Sequence, residues 1–126
     1  MAMATIKSYT DIEQSKVLAE ILPLDSADYF YKYCIGHYNS IYYRLETYPY
    51  NKGGNKNHDI PCWSLAALLD ILPLEVSFNK QTDGVDTYYY IASCDARYCD
   101  VHSHRHINVV DACYEMILRL KEKNLI

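Results

Sequence analysis

The string Ile-Leu-Pro-Leu occurs twice in this chain, within EILPLD (Glu20 to Asp25) and within DILPLE (Asp70 to Glu75). Proline disfavours helical backbone in the residue before it, so each copy predicts a helix that stops at the residue preceding the proline, Leu22 or Leu72. Strand-like sequence follows both stops. After the first, DYFYKYCI (Asp28 to Ile35) alternates, with Tyr29, Tyr31 and Tyr33 on one face and Phe30, Lys32 and Cys34 on the other. Gly36-His37 is placed to turn it, and Tyr38 to Glu46 returns as a hairpin partner. After the second come EVSFNK, a turn at Thr82-Asp83-Gly84, DTYYYIASC, and a further strand-like run, CDVHSHRH (Cys99 to His106). The predicted order is α-β-β-α-β-β-β-α. Hairpin-connected strands with helices available for one face predict a two-layer α+β fold with a mainly antiparallel sheet. The echo has two readings, a convenient helix exit used twice or a duplicated helix-strand unit (10–46 and 61–94), both within a single domain of 1–126.

The helices carry their own start signals. In Thr10-Asp11-Ile12-Glu13 a Thr cap with Glu three residues on is the capping-box pattern, and Ile12, Leu18, Ile21 and Leu22 follow at helical spacing. A second helix is expected to start around Pro61 and run through WSLAALLDIL, apolar on most sides. The third begins near Asn108, with Asp111 in its first turn and Val110, Cys113, Ile117 and Leu120 as its apolar stripe. Between the first hairpin and the second helix, residues 47–59 are rich in Asn, Gly and Lys and read as a mobile loop.

Composition narrows the function classes. Sixteen acids against 12 Lys and Arg give a net charge of -4, and no basic stripe is available to neutralise phosphates. Charge-driven nucleic-acid binding is therefore disfavoured. The N-terminus lacks the apolar core of a signal peptide, and no run is long enough to span a bilayer. The five cysteines, Cys34, Cys62, Cys94, Cys99 and Cys113, are odd in number and show no secreted framework. These features predict a cytoplasmic protein with free thiols and no membrane association. No Gly-rich phosphate loop and no G-x-S-x-G elbow occurs.

Two groups of residues are candidate sites. The first is Cys99, His102, His104 and His106. On a regular strand the three histidines share one face, with neighbours about 6.6 Å apart, so two imidazoles can converge on a zinc ion. The outer pair is too far apart for one ion, so such a site needs Cys94, Cys99 or Asp100 as well. The second group is tyrosine: 14 Tyr against two Phe and one Trp. Tyr29, Tyr31, Tyr33, Tyr42, Tyr88 and Tyr90 fall on predicted strands, where they serve either cross-strand pairing or a partner-binding face. Cys62, near the expected start of the second helix, reads as a core thiol or as a nucleophile activated by the helix dipole.

The segments YTDIEQSKVLAEILPLDSAD, IPCWSLAALLDILP and VVDACYEMILRLKEKNLI resemble an uncharacterised family of short proteins from gut bacteria and the mobile elements they carry. The resemblance implies a bacterial cytoplasmic protein and brings no activity, cofactor or site residue with it. Two functional readings stand: an accessory protein acting by protein binding or self-association, and a metal-binding protein or small metal-dependent hydrolase built on the Cys99–His106 cluster.

Overall fold

The computed structural model describes residues 7–47, 58–93 and 101–126. Three α-helices, α1 (Ile12–Ile21), α2 (Leu65–Ile71) and α3 (Val109–Glu122), accompany five strands. The strands are β1 (Tyr29–Ile35), β2 (Ile41–Thr47), β3 (Ile60–Cys62), β4 (Val76–Thr82) and β5 (Thr87–Ser93), and the order is α1-β1-β2-β3-α2-β4-β5-α3. Every pairing between these strands is antiparallel, and the strands form two sheets, β2-β1-β3 and β4-β5. The fold is α+β. Most of the loop read at 47–59, residues 48–57, lies outside the described residues, as do Cys94, Cys99 and Asp100. The chain divides into two compact units, one of Tyr9–Ala67 and one of Leu68–Ile126 with the residues before Tyr9.

In the first unit the capping box sits one residue later than expected. Asp11 accepts the Gln14 N–H at 2.8 Å, and the Gln14 side chain accepts the Asp11 N–H at 3.1 Å. A carboxylate suits the positive end of the helix better than a hydroxyl does. Thr10 is turned inward and fully buried, donating its N–H to the Trp63 carbonyl at 2.9 Å and accepting the Trp63 N–H on Oγ1 at 3.2 Å. Trp63 is itself fully buried and donates Nε1–H to Ser26 Oγ at 3.0 Å. Leu18, Phe30, Ile60 and Cys62 are also buried in this unit.

The second helix does not start at Pro61. Ile60-Pro61-Cys62 is strand β3, with Pro61 opposite Phe30, and α2 begins only after Ser64. Antiparallel ladders alternate hydrogen-bonded and non-bonded pairs. The Gly36 N–H to Ser40 carbonyl bond, 2.7 Å, sets that alternation on β1. It directs the backbone of Phe30 toward β2, so Pro61 faces a non-bonded position and its missing N–H costs nothing. Ser64 then caps α2, accepting the Ala67 N–H at 3.2 Å while its own hydroxyl and N–H donate to Asp28.

The second unit buries Leu68, Ile91, Val101, Val110, Cys113, Met116, Ile117 and Leu120, which includes all four residues of the expected α3 stripe. Asn108 precedes α3 but makes no side-chain cap bond; Asp111 accepts from Lys7 Nζ at 2.6 Å. Between β4 and β5, Asp83 accepts the N–H groups of Val85 and Asp86, each at 2.8 Å, and Gly84 takes φ +93°. That positive φ is the reason a glycine stands there. The two Ile-Leu-Pro-Leu copies do the same local work. Leu22 N–H bonds the Leu18 carbonyl at 2.8 Å and Leu72 N–H bonds the Leu68 carbonyl at 3.2 Å. Leu18 and Leu68 are fully buried, while Leu24 and Leu74 are exposed.

Candidate functional site

The histidine segment is held along β5 by backbone bonds. Ser93 N–H donates to the Val101 carbonyl at 2.9 Å, Ser103 N–H to the Ile91 carbonyl at 2.8 Å, and Tyr89 and His106 exchange both bonds at 2.7 and 2.8 Å. Ala92 bridges His102, and Tyr89 bridges His106. Three steps along β5 thus match four along the segment, so one residue is extra and the segment carries a β-bulge. The Ser103 hydroxyl fills the gap, accepting the Ile91 N–H and donating to the His104 carbonyl, both at 2.9 Å. This corrects the regular strand expected there.

The bulge separates the histidines. His104 Nδ1 and His106 Nε2 both reach Glu115 of α3 at 2.7 Å, and the same carboxylate accepts the His104 backbone N–H and Arg119 Nε, each at 2.8 Å. His102 instead donates from Nδ1 to the Ser103 carbonyl at 3.1 Å. Burial pushes the Glu115 carboxyl up, but the bonds from His106, the His104 N–H, Arg119 and the His104 ring outweigh it and hold the group at about 2. Glu115 is therefore a charged clamp tying the segment to α3. Among the described residues no three His, Cys, Asp or Glu side chains are grouped to hold a metal ion. Cys99 lies outside the described residues. On the outer side, Tyr90, His102, Ser103, His104 and Arg105 line an open cleft.

Cys62 lies in β3, and its thiol meets the Thr10 hydroxyl at 3.6 Å and the Thr10 carbonyl at 3.5 Å, beside the start of α1. Burial raises its pKa, against smaller lowering by hydrogen bonds with Thr10 and Tyr31. It is a core thiol. Cys113 is likewise buried and pushed up to about 12.

The tyrosines divide by partner. Tyr29 meets Tyr9 edge-on with centroids 4.8 Å apart, and Tyr31 Oη donates to the Thr10 carbonyl at 2.5 Å. Tyr33 stacks on His58 at 4.7 Å and meets Tyr43 edge-on at 5.9 Å. Tyr88 Oη donates to Asp83 at 3.2 Å. These rings are committed within the chain, whereas Tyr42 stays 50% exposed. On the opposite face from Tyr42 the hairpin presents apolar side chains that residue-type reasoning did not select: Ile35 at 63%, Ile41 at 61% and Leu45 at 36% exposure. Ile35 and Ile41 are direct cross-strand partners, as are Tyr31 and Leu45. At the apex Tyr38 and Asn39 both take φ +57°, and Ser40 N–H closes the turn onto the His37 carbonyl at 3.1 Å. Two consecutive left-handed residues match the twist of a hairpin, a task ordinarily given to Asn-Gly. Gly36 is required by close approach, because a Cβ there would lie 2.8 Å from Ser40 Oγ and 3.2 Å from the Tyr42 ring.

No family model, curated protein or solved structure matches this chain. No helix among the described residues is long and apolar enough to cross a membrane.

Proposed function

We propose that this chain is a small bacterial accessory protein that acts by protein binding, and that its first partner is a second copy of itself, engaged through β2. One observation carries the reading. β2 is a seven-residue edge strand, largely exposed on both faces, and among the described residues no strand pairs with its outer side. Such an edge offers unpaired N–H and C=O groups beside Ile41, Tyr42 and Leu45, a template for another strand. Edge strands that stay monomeric are ordinarily blunted by proline, charged side chains (lysine above all) or a bulge. Ile41–Thr47 has no proline, lysine or bulge, its register with β1 is continuous, and its two charges, Arg44 and Glu46, are of opposite sign and paired with each other. The bacterial and accessory parts of the reading rest on the resemblance of the helical segments. The histidine segment does not contribute, since the His104 and His106 rings are bonded to Glu115.

Sedimentation velocity across a concentration series tests the reading. Wild type is expected to pass from monomer to dimer, and Leu45→Lys, which places a charge on the edge strand, is expected to remain monomeric while keeping a cooperative melting transition that no longer shifts with concentration. A wild-type protein that stays monomeric throughout overturns it.

A further inference from the structure

We propose that the two copies pair antiparallel about a two-fold axis at Leu45, so that Arg44 of each copy stands opposite Glu46 of the other. This rests on the self-association reading and adds a register to it.

The backbone determines which groups are on offer. Gly36 and Ser40 form a hydrogen-bonded pair, so the pairs Cys34–Tyr42, Lys32–Arg44 and Phe30–Glu46 also bond across β1 and β2. The N–H and C=O groups of Ile41, Tyr43, Leu45 and Thr47 therefore aim away from β1. Pairing β2 with itself while keeping each face on its own side requires an axis through a residue, because side chains alternate with period two. Three axes, at Tyr43, Arg44 and Leu45, overlap five or more residues of the strand.

An axis at Arg44 sets two guanidinium groups directly opposite at a non-bonded position, where Cα atoms are only about 4.5 Å apart. An axis at Tyr43 places Arg44 opposite Tyr42 and Glu46 opposite Ser40, so neither charge gains an opposite one. An axis at Leu45 places Arg44 opposite Glu46 twice, Leu45 opposite Leu45, and Tyr43 opposite Thr47. Arg44 and Glu46 are the two charged residues of β2, and within one chain they already share a face, Nε to Oε1 at 2.8 Å. Side by side, the two copies form an alternating square of four charges. Charge complementarity thus selects one of the three registers, and it selects a second copy of this chain as the occupant of the edge.

Charge reversal tests the register, with dissociation constants from sedimentation equilibrium and melting temperatures confirming that each variant is folded. Arg44→Glu alone and Glu46→Arg alone are each expected to weaken self-association by about tenfold or more, because each makes two like-charge contacts. The double variant Arg44→Glu/Glu46→Arg is expected to recover wild-type affinity to within about threefold, since both pairs are restored with their signs exchanged. An equimolar mixture of the two single variants is expected to form heterodimers in preference to either homodimer. A dimer that Leu45→Lys abolishes but that is indifferent to the charge swaps overturns the register and leaves β2 pairing standing. A monomeric wild type overturns both.

Discussion

Glu115 gathers the densest set of charged hydrogen bonds among the described residues. Its carboxyl is about 18% exposed and accepts four bonds from three residues. With its folded pKa near 2 against an ordinary 4.5, the ionised form is favoured by folding. That stability is fully present above about pH 5, falls as pH drops through 4.5, and is gone below about 2. Urea midpoints measured from pH 6 to pH 2 should show this acid loss, and Glu115→Gln should be less stable at pH 6 and have a flatter acid limb. The residue was not legible in the sequence. His104 and His106 stood out, but their convergence on a helix eleven and nine residues away depends on a bulge that serine creates, and a bulge has no period to read. Tyr38 was equally hidden, because its type gives no sign of a left-handed backbone.

At the level of elements, α2 shows what competes with a proline signal. Pro61 suits a helix start, yet it also fits an outer strand wherever its nitrogen faces away from the ladder, and the pairing with Phe30 provides that position. The signal for the true start was Ser64, followed at once by the apolar run of Leu65–Ile71. Because Ser64 also donates to Asp28 beside β1, the cap connects helix to sheet. Ser64→Ala should lower stability by about 1–2 kcal/mol, read as a shift in the chemical-denaturation midpoint. The stops at Leu22 and Leu72, the turn at Asp83-Gly84 and the α3 stripe were legible, since each depends on residues within one turn or a few positions.

Across the whole molecule, the α+β class followed from the alternation of periodicities, while the division of the strands into two sheets did not. Sheet membership is a matter of long-range pairing, and the β3 segment that completes the first sheet is only three residues long. Trp63, the one tryptophan, is buried in the unit of Tyr9–Ala67, so its fluorescence reports on that unit. Leu18→Ala, at a fully buried position of the same unit, should lower the fluorescence-detected transition by about 2–5 kcal/mol. Pro61 has a last consequence. Joining two copies through β2 consumes the β2 edge of each three-stranded sheet and yields the strand order β3-β1-β2-β2-β1-β3. Each rim of that sheet is a three-residue strand whose central residue has no N–H to offer outward. Growth of this sheet would end at two copies: the proline that mimics a helix start also terminates the sheet against further strand addition.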